Sequence, residues 1–317
     1  MTSILQEVDK VEILTLQDNY IDLVSGDNSE VVQRALPVKG MEIRNSLLAE
    51  HGFSALLTLT RGDESRSALF DFGFSEHGAD FNAEALDLDM GGVEVLALSH
   101  GHLDHVGGLE RLAARIGKPG IELVLHPTAF RNPRYMKLSE ELKLYFPPFT
   151  REKAESAGVS VTATREPATL LGGGLLFLGE IPRRTAFEKG MPSAHYEEDG
   201  QERWDPIEDD TALVALLKGK GLVVVSGCAH SGIVNTVQYA REVTGVERVH
   251  VVMGGFHLTG PDFEDALEPT VQALQEMEPR YVVPTHCTGR KAIRRIEDTM
   301  GDRFLLNMVG TKLTFAA

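Results

Sequence analysis

The sequence predicts an α/β fold built as one large domain, and three observations carry that prediction. Short apolar runs of strand length alternate with segments whose apolar residues recur at helical spacing. The apolar runs end in turns rich in glycine, histidine and acidic residues, the places where α/β proteins build their sites. The length, 317 residues, suits one domain carrying an insertion better than several small ones.

Residues 11–16 read as the first strand. Residues 17–50 are mixed and charged, with Asp18-Asn19 early and Glu42-Ile43-Arg44-Asn45 late, and read as a long loop or a short helix near the site. His51-Gly52-Phe53-Ser54 leads into a strand over 55–59, and the Arg61-Gly62-Asp63 turn leads into another over 67–70. That strand stops at Asp71-Phe72-Gly73, which taken alone means only a turn. A helix over 76–89 crosses to the strand 93–98. A second helix runs from Val106 to about Gly117, with Leu109, Leu112, Ala113 and Ile116 at core spacing. The strand 121–125 ends in His126-Pro127, which reads as structural.

Residues 128–157 hold Tyr135, Met136, Tyr145, Phe146 and Phe149, either a satellite core under a loop-rich segment or one wall of a pocket for a planar substrate. Strands over 159–164 and 170–178 open the second half. Residues 182–208 are irregular, acidic and rich in turn formers, and include Trp204. They read as an inserted, lid-like flap in a single domain spanning 1–317. Arg183 and Arg184 are anion-contact candidates, with plain solvation the competing reading. A hairpin over 212–217 and 222–226 follows, then a helix to about Val243, a strand over 249–253 and a helix over 262–276. A strand over 281–284, a helix over 290–300 and a strand pair within 303–315 close the chain.

Formal net charge is −16 and the pI about 5.1, which argues against a nucleic-acid or anionic-membrane binder, since phosphate surfaces need a basic face. A small anionic substrate stays open, because a metal supplies local positive charge. The N-terminal stretch lacks the pattern of a signal peptide, and no apolar run has bilayer length. The two cysteines, Cys228 and Cys287, sit in separate small-residue turns, so a structural disulfide is not expected and a reducing cytoplasm is.

The chemistry concentrates in Ser99-His100-Gly101-His102-Leu103-Asp104-His105-Val106-Gly107-Gly108. In an extended loop His100 and His102 point the same way, because side chains repeat with period two. Asp104 and His105 then open a helix. Imidazole nitrogen and carboxylate oxygen are ligands for Zn, Mn or Fe, and these four groups supply half of each of two adjacent sites. Three later strands also finish with a histidine among small residues, His230, His257 and His286, and small neighbours let backbone crowd a ligand.

The string His-x-His-x-Asp-His after a strand resembles the signature of the metallo-β-lactamase fold superfamily. The resemblance implies a four-layer αββα sandwich. It implies His100 and His102 at one metal, Asp104 and His105 at the other, with His286 completing the second. It also implies that Asp71 orients ligands rather than binding metal. One departure stands out: where the superfamily carries a glycine-aspartate bridge, this chain has Gly227-Cys228, with His230 two positions on. Cys228 or His230 can take the bridging place, or one metal is weakly held; His230 is taken as ligand, with Cys228 close by at the substrate. The usual third histidine is also absent, and Glu180 lies nearest its place. Gly227-Cys228-Ala229-His230-Ser231-Gly232, Gly254-Gly255-Phe256-His257-Leu258 and Pro284-Thr285-His286-Cys287-Thr288-Gly289 are similar to the branch named for 7,8-dihydropterin-6-ylmethyl-4-(β-D-ribofuranosyl)aminobenzene 5′-phosphate synthase.

The expectation is a metal-dependent hydrolase with one or two divalent ions (Zn, Mn or Fe), acting through a metal-activated water on a phosphorylated or ester small molecule. A related pterin transferase or synthase is the neighbouring form of the same expectation. Metal ligands are His100, His102, Asp104, His105, His230 and His286; catalytic groups are Asp104 and His257; substrate contacts are Arg183, Cys228 and His257. The partner is a small anionic molecule, with no nucleic acid and no membrane. The alternative is a non-catalytic, metal-dependent ligand sensor on the same fold.

Overall fold

Two large sheets face each other across a shared apolar core, with helices on both outer faces. The computed structural model describes residues 5–36, 38–39, 41–43 and 45–317. The first sheet runs, in spatial order, Val159–Ala163, Ile121–Leu125, Val93–Ala97, Glu64–Phe70, Ser54–Arg61, Lys10–Gln17, Lys312–Ala316 and Val32–Gln33. The second runs Ala168–Leu170, Leu175–Phe177, Ala212–Leu217, Gly221–Ser226, Val249–Gly255 and Tyr281–Thr285, with Glu7–Val8 alongside Ala212–Leu217.

Side-chain alternation builds the layers. Leu213, Ala215, Val223, Val225, Val251 and Met253 face Val11, Ile13, Leu57, Phe70 and Val95 across the gap between sheets. Their neighbours Val214, Leu222, Val224 and Val252 point the other way, onto the helices Ile233–Thr244, Glu264–Met277 and Arg290–Met300. Leu69, Leu96 and Leu123 likewise pack under Gly78–Ala85, Leu109–Ile116 and Arg151–Ser156. The inner strands of the second sheet are buried on both faces, which is why they read as unbroken apolar runs. The order helix, sheet, sheet, helix is the αββα sandwich implied by the resemblance. Among the described residues no helix is long and apolar enough to cross a membrane.

Several elements depart from the sequence reading. The helix expected from Val106 is two pieces, Leu103–Val106 and Leu109–Ile116. Gly107 and Gly108 break it because their backbone lies on the carbonyls of Phe74 and Phe72, where a Cβ would collide. The single strand over 170–178 is a hairpin folded at Leu171–Gly173. Only Lys312–Ala316 forms in place of the terminal strand pair. Of the two readings of 17–50, the loop is the one seen: its described residues form no helix, only two-residue strands such as Val32–Gln33, and Arg44 lies outside them. Residues 182–208 are not wholly irregular: Ala194–Glu198 and Gln201–Trp204 make a hairpin. It joins Arg134–Lys137 and Lys143–Tyr145 in a separate four-stranded sheet.

That small sheet is fastened to the main fold by buried charge. The Arg134 guanidinium donates to Asp205 at 2.7 Å and to Asp209 at 2.9 Å, and Asp209 also accepts from the Gly101 amide at 2.8 Å. Replacing Arg134 with Met leaves the buried Asp209 carboxylate without a counter-charge, while Asp205 keeps Arg131 at 2.8 Å. It should lower the unfolding free energy in urea by about 3–5 kcal/mol.

At the opposite end of the second sheet His250 is buried against the rings of Tyr281 and Phe315. Burial, reinforced by the charges of Lys220, Arg248 and Arg280, pushes its imidazole down to about 4. The unfolded chain then takes up the proton first as pH falls. The contribution is whole above about pH 6.5 and is lost towards pH 4, amounting to at most roughly 3 kcal/mol. Equilibrium unfolding of His250→Gln should show a correspondingly shallower loss of stability over that window.

Candidate metal centre

The strand Val93–Ala97 delivers Ser99 and the histidine loop onto a buried carboxylate. Asp71 accepts from the Ser99 amide and hydroxyl, both at 2.7 Å, and lies 2.6 Å from His105 Nδ1. With Nδ1–H donated to Asp71, His105 presents the lone pair of Nε2 inward. The Ser99 hydroxyl lies 2.9 Å from His100 Nδ1, and His100 Nε2 is buried without a partner. This is the ligand-orienting role the resemblance implied for Asp71.

The later strands bring the rest. The Asp18 carboxylate accepts from the His286 amide at 2.9 Å and Asn19 Oδ1 accepts from His286 Nδ1 at 3.0 Å. His286 Nε2 is thereby aimed at Asp104 Oδ2, 3.1 Å away. His105 Nε2 lies 3.1 Å from Cys228 Sγ. The His230 ring stands 4.8 Å from His100, 4.9 Å from His102 and 4.3 Å from His257, both its nitrogens buried and unpartnered. Ala229, His257 and His286 hold φ of 40°, 46° and 44°, the left-handed region that costs a side-chain-bearing residue roughly 1 kcal/mol or more. Three such residues around one centre mark backbone bent to aim side chains.

Ligand atoms fall into four overlapping groups, each within 4.8 Å: Asp104, His105, Cys228 and His286; His100, Cys228 and His230; Cys228, His257 and Cys287; and His100, His102 and Asp104. Imidazole nitrogens, a carboxylate and a thiol converge here, the donor set that a divalent cation takes once their protons leave. Burial and the neighbouring imidazoles hold His100 and His230 well below the ordinary range, and burial holds His102 to about 4, so these rings are neutral as ligands need. Burial works against a charge on His105, but the Asp71 and Asp104 carboxylates outweigh it and hold the ring up to about 9. A proton there stands where a metal would.

All six residues expected as ligands, His100, His102, Asp104, His105, His230 and His286, meet in this one place. Cys228, expected at the substrate with the bridging place as the alternative, has its thiol in three of the four groups. Glu180 stands apart, held by His126 at 3.3 Å and by Arg165. Arg183 spends Nη2 on the backbone carbonyls of Pro206 and His230, and Arg184 pairs with Glu242. His257 borders a cavity of about 290 Å³ lined also by Phe187, Glu188, Lys189, His230, Phe256 and Phe263. Its Nδ1 has no partner.

Sequence reasoning gave no individual role to Asn19 or His51, and read Phe146 only as satellite core or pocket wall. Asn19 orients His286, and His51 Nε2 lies 3.5 Å from Asp104 Oδ2 with its ring 4.7 Å from His286. Phe146, from the small sheet, lies against His102 at 5.1 Å. Asp18-Asn19 and His51-Gly52 were visible as polar turns after or before strands, but nothing local says that they reach residue 286. Replacing Asp71 with Asn keeps the shape and removes the anchoring charge. Metal affinity, read by chelator competition, should fall about 10- to 100-fold.

A family model described as "Metallo-beta-lactamase superfamily" matches residues 51–286. The chain is 31% identical over 297 residues to 7,8-dihydropterin-6-methyl-4-(beta-D-ribofuranosyl)-aminobenzene-5'-phosphate synthase of Methanocaldococcus jannaschii, covering 90% of each protein. It is 29% identical over 266 residues to an uncharacterized protein of the same organism, covering 83% of this chain and 92% of that one. Among solved structures it resembles Tm1679, described as a metal-dependent hydrolase of the beta-lactamase superfamily. There the TM-score is 0.72 at 26% identity, over 97% of this chain and 100% of that one.

Proposed function

The chain belongs to the metallo-beta-lactamase superfamily, and from that premise we propose that it is a metal-dependent hydrolase of a small anionic phosphorylated or ester substrate. The observation that carries this is the convergence of unpartnered imidazoles, a carboxylate and the Cys228 thiol beside a cavity. His100, His102, Asp104, His105, Cys228, His230 and His286 are the residues that would hold one or two divalent ions, Zn, Mn or Fe. Such ions supply Lewis acidity toward a phosphoryl or acyl oxygen and make water acidic enough to attack near neutral pH.

The chain's own groups supply the proton handling. Asp104 is desolvated, yet His105 and His286 outweigh that and keep it ionised, so it can accept a hydrogen bond from the attacking water and orient it. His257 is lowered by burial, but Cys287, Asp104 and Asp210 outweigh that and leave it above its ordinary value. It therefore reaches neutral pH able to give a proton to a leaving oxygen on the cavity side. Residues 182–208 act as the lid in this reading, since Glu188, Lys189, Gly190 and Pro192 form one side of the cavity. Lys189 offers the anion a cationic contact there.

A second form of the reading is condensation of a pterin with a phosphorylated aminobenzene ribofuranoside. The likeness to the Methanocaldococcus enzyme favours it, as do the rings of Phe187, Phe256 and Phe263 around the cavity. Hydrolysis and condensation share the same hold on the phosphate.

Elemental analysis of the purified protein should find about two metals per chain, falling towards one in His286→Ala. A panel of phosphodiesters, lactones and pterin diphosphates should reveal turnover that His102→Ala abolishes while keeping the circular dichroism of the fold. Full turnover by His102→Ala overturns the reading. Tight ligand binding with no turnover across the panel moves the sensor alternative ahead.

A further inference from the structure

Cys228 and Cys287 follow strands that are not neighbours. Gly221–Ser226 and Tyr281–Thr285 lie on either side of Val249–Gly255. Strands two apart in a sheet are separated by about 9–10 Å, well beyond the Cα spacing a disulfide spans. Yet the sulfurs of Cys228 and Cys287 and a ring nitrogen of His257 all lie within 4.8 Å of one another.

Gly255 is what allows this. It ends the middle strand, pairing with Thr285 on one side and donating its amide to Gly227 at 2.8 Å on the other. A Cβ built on it would stand 2.6 Å from Cys287 Sγ and 3.4 Å from the Cys228 Cα. The two cysteines lean toward each other over the one position that has no side chain. The Cys287 thiol reaches the Cys228 carbonyl at 3.6 Å. Both residues are buried, at 2% and 4% exposure, and Ala229, His230 and His257 beside them line the cavity, the side from which a small oxidant would reach them.

Cys287 is not among the residues proposed to hold metal, while Cys228 belongs both to the group of Asp104, His105 and His286 and to the group of His100 and His230. We propose that Cys228 and Cys287 form a reversible disulfide that withdraws the Cys228 sulfur from the metal ligands. The release part rests on the reading of Cys228 as a ligand; the cross-link does not. The oxidant is a hydroperoxide. One thiolate attacks the peroxide oxygen, breaking the O–O bond; the departing hydroxide takes a proton and leaves as water. The second thiolate attacks the resulting sulfenic sulfur, the S–S bond forms, and the hydroxide expelled takes the other proton as a second water. Two thiols lose two electrons and one hydrogen peroxide becomes two waters. His257 is placed to take the thiol proton and pass it on. A dithiol reductant reverses the reaction.

The test uses the zinc-loaded full chain and stoichiometric hydrogen peroxide. Three readings are followed: free thiols, zinc released to a chromogenic chelator, and peptides mapped by mass spectrometry without reduction. The expected result is loss of both thiols, a single peptide pair joined through Cys228 and Cys287, and zinc release in step. Dithiothreitol with added zinc should restore all three. Cys287→Ser should form no cross-link and keep its zinc over the same exposure. Thiol loss with no joined peptide overturns the proposal, and that reading needs only the wild-type protein. Zinc lost from Cys287→Ser as fast as from wild type also overturns it. A cross-link with zinc fully retained overturns the release, and with it the place of Cys228 among the ligands, while leaving the histidine and Asp104 assignments untouched.

Discussion

The carboxylate of Asp71 is the constraint on which the centre depends. It is a buried charge at the end of a core strand, with φ of 58°, and an unpaired charge there would be prohibitively expensive. It is satisfied by the Ser99 amide, the Ser99 hydroxyl and His105 Nδ1. Once those bonds are made, the Ser99 hydroxyl can only accept from His100. Two imidazoles are thus fixed in tautomer and direction by one side chain that needs no contact with a metal. The second half of the molecule solves the same problem with Asp18, which seats His286 through its amide and orders Asn19 beside it.

Most of the fold was readable because the second sheet is covered on both faces and the first alternates cleanly. Both leave patterns within six or eight residues. What escaped reading depended on partners distant in sequence. The break at Gly107-Gly108 is caused by the carbonyls of Phe72 and Phe74, and the strands at 134–137 and 194–198 exist because they pair with each other. Neither has a local signature. The terminal strand pair failed for the same reason: Lys312–Ala316 pairs with Lys10–Gln17 and Val32–Gln33 rather than with a neighbour in sequence.

The site was readable to a similar depth. Histidines crowded into His100–His105, and those in glycine turns at 230, 257 and 286, announce themselves by residue type. The role of Cys228 did not, because one thiol looks the same whether it packs, reacts or ligates. The sequence left it between the bridging place and the substrate; the structure adds that His105 Nε2 lies 3.1 Å away and that three of the four ligand groups include it. Arg183 shows how much a residue type leaves open. A cation in a flap suggests an anion contact, whereas here its reach is taken up by two backbone carbonyls.

His286 closes the centre against Asp104 across 182 positions of sequence. That separation has a consequence for biosynthesis. A chain emerging from the ribosome exposes His100, His102, Asp104 and His105 long before His230 or His286 exists, so it carries only a weak, partial chelator. High affinity arises only once the second sheet has docked on the first, and the free energy of metal uptake then accrues to the completed fold. Truncated or half-folded chains are therefore left without that stabilisation. On the proposed function, metal capture would distinguish finished molecules from fragments.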